Sequence, residues 1–428
     1  MKTAKTKTYS RTVLDNGLRI ITVPQKGALA VTVLVLVEAG SKYETKDING
    51  LSHFLEHMCF KGTKKRPTAM DIAGELDGIG AEYNAFTSQE WTGYYAKVQA
   101  HELDTALDII SDMYLNPIFD PKEIEKEKGV VIEELNMYED MPQRRVQELF
   151  TQLMYGDQPA GWDVGGNKEV IREMTREHFL NYRGKHYLAD ATSVIVAGAF
   201  NEKEIMKKIE HAFREMPVGK KEGKLVVKEA QKKPATFVKF KESDQSHLVI
   251  GVRAFSMFDK RRYALDVLSD ILGGGMSSRL FQRVREELGA AYYVKAGADL
   301  LTDHGYLEIS AGVEHSKLEI VVTAILKELK TLATLRVTEA ELARAKDHLS
   351  GRTVLGLETS DALAMYYGGQ EVVREPIETP EEALKKMHAV TPEDILGVAK
   401  DIFKNEGLNL ALIGPVKDGK KLEGLLKI

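Results

Sequence analysis

The chain has 428 residues, 43% hydrophobic and 29% charged, an ordinary globular composition with material for more than one buried core. Its 59 basic and 64 acidic side chains leave a net charge of −5, which removes the basic excess of a general nucleic-acid binder. A single cysteine excludes a disulfide framework and a cysteine-based zinc finger.

The longest apolar run, residues 31–37, falls far short of the roughly 20 residues that span a bilayer. At the N-terminus Lys2, Lys5 and Lys7 are followed by Asp15-Asn16-Gly17, not by the unbroken apolar stretch of a signal peptide. The expectation is a soluble, cytoplasmic protein with neither membrane nor nucleic acid as partner.

In chain order, residues 18–23 and 31–37 read as strands, and residues 49–60 and 69–76 as helices. Alternation over 81–98, with Tyr83, Phe86, Trp91, Tyr94 and Tyr95, predicts a hairpin. Residues 102–113 and the long stretch 121–153 read as helical, followed by a strand at 193–197 and a helix at 202–213. Residues 217–234 are rich in Lys and Gly and bounded by prolines, a linker whose lysines are expected on a solvated surface.

Beyond the linker the order restarts. Residues 247–252 stand where 31–37 stood, and 315–332 where 102–113 stood. Thr338-Glu339-Ala340-Glu341-Leu342 resembles Asp120-Pro121-Lys122-Glu123-Ile124, and Leu410-Ala411-Leu412-Ile413-Gly414 echoes Val194-Ile195-Val196-Ala197-Gly198. All four matches share an offset of about half the chain, the mark of a duplicated unit. The fold class is therefore α+β, with two homologous halves, 1–216 and 235–428, joined by the linker at 217–234. Each half is expected to pack a largely antiparallel sheet with several helices.

The segment Ser52-His53-Phe54-Leu55-Glu56-His57-Met58-Cys59 carries the chemistry. On a helix, His53, Glu56 and His57 fall at i, i+3 and i+4 and share one face, while Leu51, Phe54, Leu55 and Met58 form an apolar stripe. Two imidazoles one turn apart can grip one zinc ion, and the carboxylate between them is placed to act on water. This H-x-x-E-H order is that of the inverzincin peptidases. A catalytic zinc takes a third protein ligand, and Glu123, Glu127 and Glu134 offer one at spacings of 4 and 7 on one helical stripe. Glu133 points about 100° away from Glu134. Cys59 reads as a small core residue.

At these residues the sequence resembles the pitrilysin/insulinase family of zinc metallopeptidases, in the branch of small processing-peptidase-like proteins, over essentially its whole length. The resemblance implies one zinc per chain on His53, His57 and Glu134, with Glu56 as general base and Glu127 supporting the site. Asn84-Ala85-Phe86-Thr87 is similar to the family's edge-strand signature, so Asn84, Ala85 and Phe86 are implied to receive a substrate peptide as an added strand. Downstream of Gly273-Gly274-Gly275, a stretch without the Gly-Lys-Ser/Thr of a phosphate loop, Arg285 and Tyr292 match the spacing of a substrate-contacting pair. With zinc motif and Arg/Tyr pair in one chain, a homodimer is implied, a heterodimer remaining the alternative. The activity implied is endopeptidase action on unfolded peptides. The competing readings are a catalytic subunit that needs a second polypeptide and a non-catalytic scaffold.

Overall fold

The computed structural model describes residues 8–428, and Lys2, Lys5 and Lys7 lie outside the described residues. The chain forms two compact units. The first runs to Leu135 and adds Asp163–Leu225 and Val354–Thr379; the second comprises Asn136–Trp162, Val226–Thr353 and Pro380–Ile428.

The elements run β1 (Ser10–Val13), β2 (Arg19–Pro24), β3 (Ala30–Val37), α1 (Leu51–Cys59), α2 (Ala69–Gly78), β4 (Glu82–Thr87), β5 (Thr92–Gln99), α3 (Leu103–Leu115) and α4 (Pro121–Glu139). There follow α5 (Pro142–Tyr155), α6 (Lys168–Glu173), α7 (Arg176–His186), β6 (Thr192–Gly198), α8 (Glu202–Ala212), β7 (Ala235–Phe240), β8 (Ser246–Ala254) and α9 (Arg262–Gly273). The remainder is β9 (Ala291–Leu300), β10 (Gly305–Val313), α10 (Leu318–Thr334), α11 (Glu339–Gly356), α12 (Ser360–Val372), α13 (Pro380–His388), α14 (Pro392–Ile402), β11 (Asn409–Gly414) and α15 (Lys420–Leu425).

The first sheet has the order β1-β2-β6-β3-β5-β4, and the second β7-β11-β8-β10-β9. Apart from β1, one order repeats the other. In both, the first pair is parallel (β2 with β6, β7 with β11) and every later pair antiparallel. The segments matched by sequence occupy equivalent places: β3 and β8, α3 and α10, the starts of α4 and α11, and β6 and β11.

In the first unit Val31, Val33, Val35 and Val37 of β3 pack with Leu51, Phe54, Leu55 and Met58 of α1 and with the apolar face of α3. The opposite face of β3 meets α12, where the Thr32 and Ser360 hydroxyls lie 2.8 Å apart. Covered on both sides, β3 reads as an apolar run broken only by Thr32, not as an alternating one. In the second unit α9, α10 and α14 cover one face of the sheet, and Val146, Leu149 and Phe150 of α5 pack on Val249, Ala411 and Ile413 on the other.

Two expectations are corrected. The helical stretch 121–153 is two helices, because Pro142 cannot continue the hydrogen-bonding of the preceding turn and instead opens α5. Of the linker lysines expected in solvent, Lys221 pairs with Glu38, and Lys224 pairs with Glu90 at 2.6 Å with only 14% of its side chain exposed. The linker cations thus add to Arg374 beside half-buried Glu38 and to Lys42 beside buried Glu90, and a buried carboxylate stays charged only when paired.

Candidate metal centre

Helix α1 opens at Gly50, whose φ of +97° lies in the left-handed region and whose missing Cβ leaves room for the Gly165 carbonyl, which a side chain would meet at 2.6 Å. The first N–H groups of the helix are held by a side chain earlier in the chain. The Glu44 carboxylate accepts from Gly50 N at 2.8 Å, Ser52 N at 2.7 Å and Asn49 Nδ2 at 3.1 Å. Burial pushes the Glu44 carboxyl up to about 7 against these donors. With Leu51, Phe54, Leu55 and Met58 buried, the helix can turn in only one orientation, and His53, Glu56 and His57 are left on its accessible side.

The donors converge. His53 Nε2 and His57 Nε2 are 3.3 Å apart, and Glu134 Oε2 of α4 lies 3.6 Å from the first and 3.4 Å from the second. Ligand bonds of about 2.0–2.1 Å in tetrahedral array separate neighbouring donor atoms by about 3.3–3.4 Å, so the three atoms fit one zinc ion. Among the described residues this is the one group of three His, Cys, Asp or Glu side chains so placed. Of the acidic stripe, Glu134 joins the imidazoles, Glu127 sits one shell behind, and Glu123 pairs with Lys126 at the surface.

Glu127 accepts from His57 Nδ1 at 3.0 Å and from Lys61 Nζ at 2.6 Å. Burial raises its carboxyl, but the His57 and Lys61 bonds outweigh that and hold it below the ordinary value. For His57, burial lowers the imidazole, yet the bonds to Glu127 and Glu134 prevail and push it up to about 9. A metal at Nε2 would replace that proton, leaving Nδ1–H on Glu127, the usual way a ligand histidine is oriented. Burial raises the Glu56 carboxyl, opposed by a hydrogen bond from the Thr87 hydroxyl at 2.6 Å.

Strand β4 forms the edge of the first sheet. Ala85 is buried, Asn84 turns its Oδ1 onto the Ala85 N–H at 2.9 Å, and the Phe86 ring meets Trp91 edge-on at 5.3 Å. Arg285 and Tyr292 belong to the second unit. Arg285 stands on a π-helical segment, Phe281–Glu287, donates to the Tyr292 carbonyl at 2.7 Å and lies over the Phe281 ring; the Tyr292 side chain projects into solvent from edge strand β9. Cys59 is buried in the core, as expected.

Three residues of this arrangement were not singled out from sequence: Glu44, Lys61 and Thr87. Lys61 stands at i+4 from His57, a spacing that signals proximity, and Thr87 closes the very tetrapeptide that marks the edge strand. Glu44 gives no local signal, since its partners are backbone N–H groups six and eight residues on.

Two imidazoles and a carboxylate on one point, with a second carboxylate a helical turn away, match the donor types that a hydrolytic zinc centre uses. Residues 19–167 match the family model described as Insulinase (Peptidase family M16), and residues 173–349 that described as Peptidase M16 inactive domain. The chain belongs to this insulinase family of peptidases. It is 35% identical over 422 residues to a Streptomyces coelicolor protein, covering 96% of this chain and 90% of that one, and 36% identical over 405 residues to a Bacillus subtilis protein, covering 95% and 98%. Both are named uncharacterized zinc proteases. The fold recurs in the crystal structure of a Helicobacter pylori protease, with TM-score 0.87 and 23% identity over 95% of this chain and 99% of that one. It recurs also in a Pseudomonas fluorescens structure titled peptidase M16 inactive domain, with TM-score 0.88 and 17% identity over 96% and 98%. No helix among the described residues is long and apolar enough to cross a membrane.

Proposed function

We propose that this chain is a zinc-dependent endopeptidase acting on unfolded peptides and flexible segments. The observation that carries the reading is the convergence of His53 Nε2, His57 Nε2 and Glu134 Oε2, with Glu56 one turn along the same helix. His53, His57 and Glu134 would hold one zinc ion per chain, which would supply Lewis acidity to water and to the scissile carbonyl. Glu56 takes the proton of the attacking water on its carboxylate and returns it to the leaving amine. Its raised affinity for a proton, a result of burial, suits a base that must also act as an acid. Glu127 holds the His57 ring so that Nε2 faces the metal position.

In this reading residues 1–216 carry the chemistry and residues 235–428 contribute substrate contacts. An extended peptide adds to the free edge of β4 beside Asn84, Ala85 and Phe86, where main-chain pairing gives affinity with modest sequence preference. Arg285 holds a peptide carbonyl, and the Tyr292 hydroxyl donates to the developing oxyanion. The presence of both sets in one chain supports a homodimer whose sites need no different polypeptide, and the cytoplasm is the compartment we assign to it. The naming of the relatives as zinc proteases supports the same activity.

The test is cleavage of an unstructured, internally quenched peptide by the purified protein and by Glu56→Gln, with bound zinc measured in each. Cleavage by the wild type alone, with zinc in both, is the expected result. Zinc without cleavage in the wild type would favour a subunit that needs a partner, and neither would favour a scaffold.

A further inference from the structure

We propose that Thr87 is a positioning residue that ties the peptide-receiving edge strand to the general base, so that one rigid hairpin sets both the register of the substrate and the direction of the Glu56 carboxylate. This rests on the peptidase reading above.

The terminal torsion of a glutamate is soft and has no sharp preference, so a carboxylate that must accept a proton from one direction needs an external hold. Thr87 Oγ1 donates to Glu56 Oε2 at 2.6 Å, the short range of a hydroxyl bonded to a charged carboxylate. With Oε2 engaged, Oε1 is the oxygen left to exchange a proton. Thr87 is itself the last residue of β4, the strand at the edge of the first sheet.

The hairpin that carries Thr87 is fixed to the segment leading into α1. Ser41 N donates to the Ser88 carbonyl at 3.2 Å and Lys42 N to the Gln89 carbonyl at 2.8 Å. The Lys42 ammonium, fully buried, bonds Glu90 at 3.0 Å at the turn. Gly40 lies so close to this turn that a Cβ would stand 2.3 Å from the Ser88 carbonyl oxygen. The segment that leads into the metal helix therefore clamps the hairpin, and the distance from Thr87 to Glu56 is not free to drift. A hydroxyl held this way acts as a preorganised support.

The test compares Thr87→Val, which keeps the shape and removes the donor, with Thr87→Ser, which keeps the donor. With zinc content unchanged, Thr87→Val should lower kcat about 10–100-fold, a share of what a general base contributes, and leave KM within about twofold. Thr87→Ser should recover most of the loss. A Thr87→Val enzyme with wild-type kcat, or one that loses zinc or raises KM alone, would overturn the proposal. A second arm needs no activity: urea unfolding of Thr87→Val, Glu56→Ala and the double variant should be non-additive, whereas additivity would overturn the tether. If the zinc-loaded wild type cleaves nothing by itself, the reading as a self-sufficient peptidase fails, and the unfolding cycle decides the tether by itself.

Discussion

Glu127 links His57, the proposed zinc ligand, to the Lys61 cation, and its replacement has a calculable effect. Its carboxylate is buried and accepts from His57 Nδ1 at 3.0 Å and Lys61 Nζ at 2.6 Å. Glu127→Gln preserves shape and an acceptor for His57 but removes the charge. A hydrogen bond to a charged group contributes about 1.5–3 kcal/mol and a neutral one about 0.5–1.5, so the His57 ring is held less firmly by about 1–1.5 kcal/mol. At 1.4 kcal/mol per tenfold, zinc should bind about 5–12-fold more weakly. Glu127→Ala removes the bond altogether and should approach the hundredfold end of the range seen for groups that support metal ligands. Competition with a chromophoric chelator at constant pH measures the ratio. At saturating zinc, cleavage by Glu127→Gln should return to within a few-fold of wild type, because Glu56 and its Thr87 bond are untouched. Zinc affinity unchanged within twofold in Glu127→Ala would refute the orienting role.

Glu56→Gln should retain zinc and lose about 10²–10⁴ in turnover, while His57→Ala should lose metal and turnover together, as read by metal analysis and peptide cleavage. Chelation should abolish cleavage and lower the melting temperature, since an ion bound to the native state stabilises it; re-added zinc should restore both. Gly50→Ala should be destabilising by more than about 1 kcal/mol in urea unfolding, since the residue has φ +97° and a Cβ there would meet the Gly165 carbonyl at 2.6 Å. His186 is buried among Tyr43 and Tyr182, and burial holds its imidazole down to about 4, against about 6.5 when unfolded. Between these values the unfolded chain binds the extra proton, so this contribution is complete above about pH 6.5 and is lost as pH falls toward 4, by up to about 3 kcal/mol. Urea unfolding of wild type and His186→Phe across that range should show the difference shrinking in acid, and a constant difference would refute it.

The sequence by itself determined the local parts. Period-3.6 spacing put His53, Glu56 and His57 on one face of a helix and Leu51, Phe54, Leu55 and Met58 on the other, because side-chain direction along a helix follows from spacing alone. The repeated order of elements was likewise legible, since each half had to restate the same hydrophobic periods to build the same sheet. What spacing could not choose was which of Glu123, Glu127 and Glu134 meets the imidazoles. That depends on where α4 crosses α1, a matter of packing, and the crossing delivers Glu134 to the two imidazoles and Glu127 to the far side of His57. Nor does any local pattern reveal that α5, between two elements of the first unit, belongs to the second, or that α12 covers β3 far from it in sequence. An amphipathic helix records only that it has an apolar face; which sheet buries it is decided by tertiary packing. The same holds for Glu44, Lys61 and Thr87, whose partners are close in space and, for Lys61 and Thr87, 66 and 31 residues away in the chain.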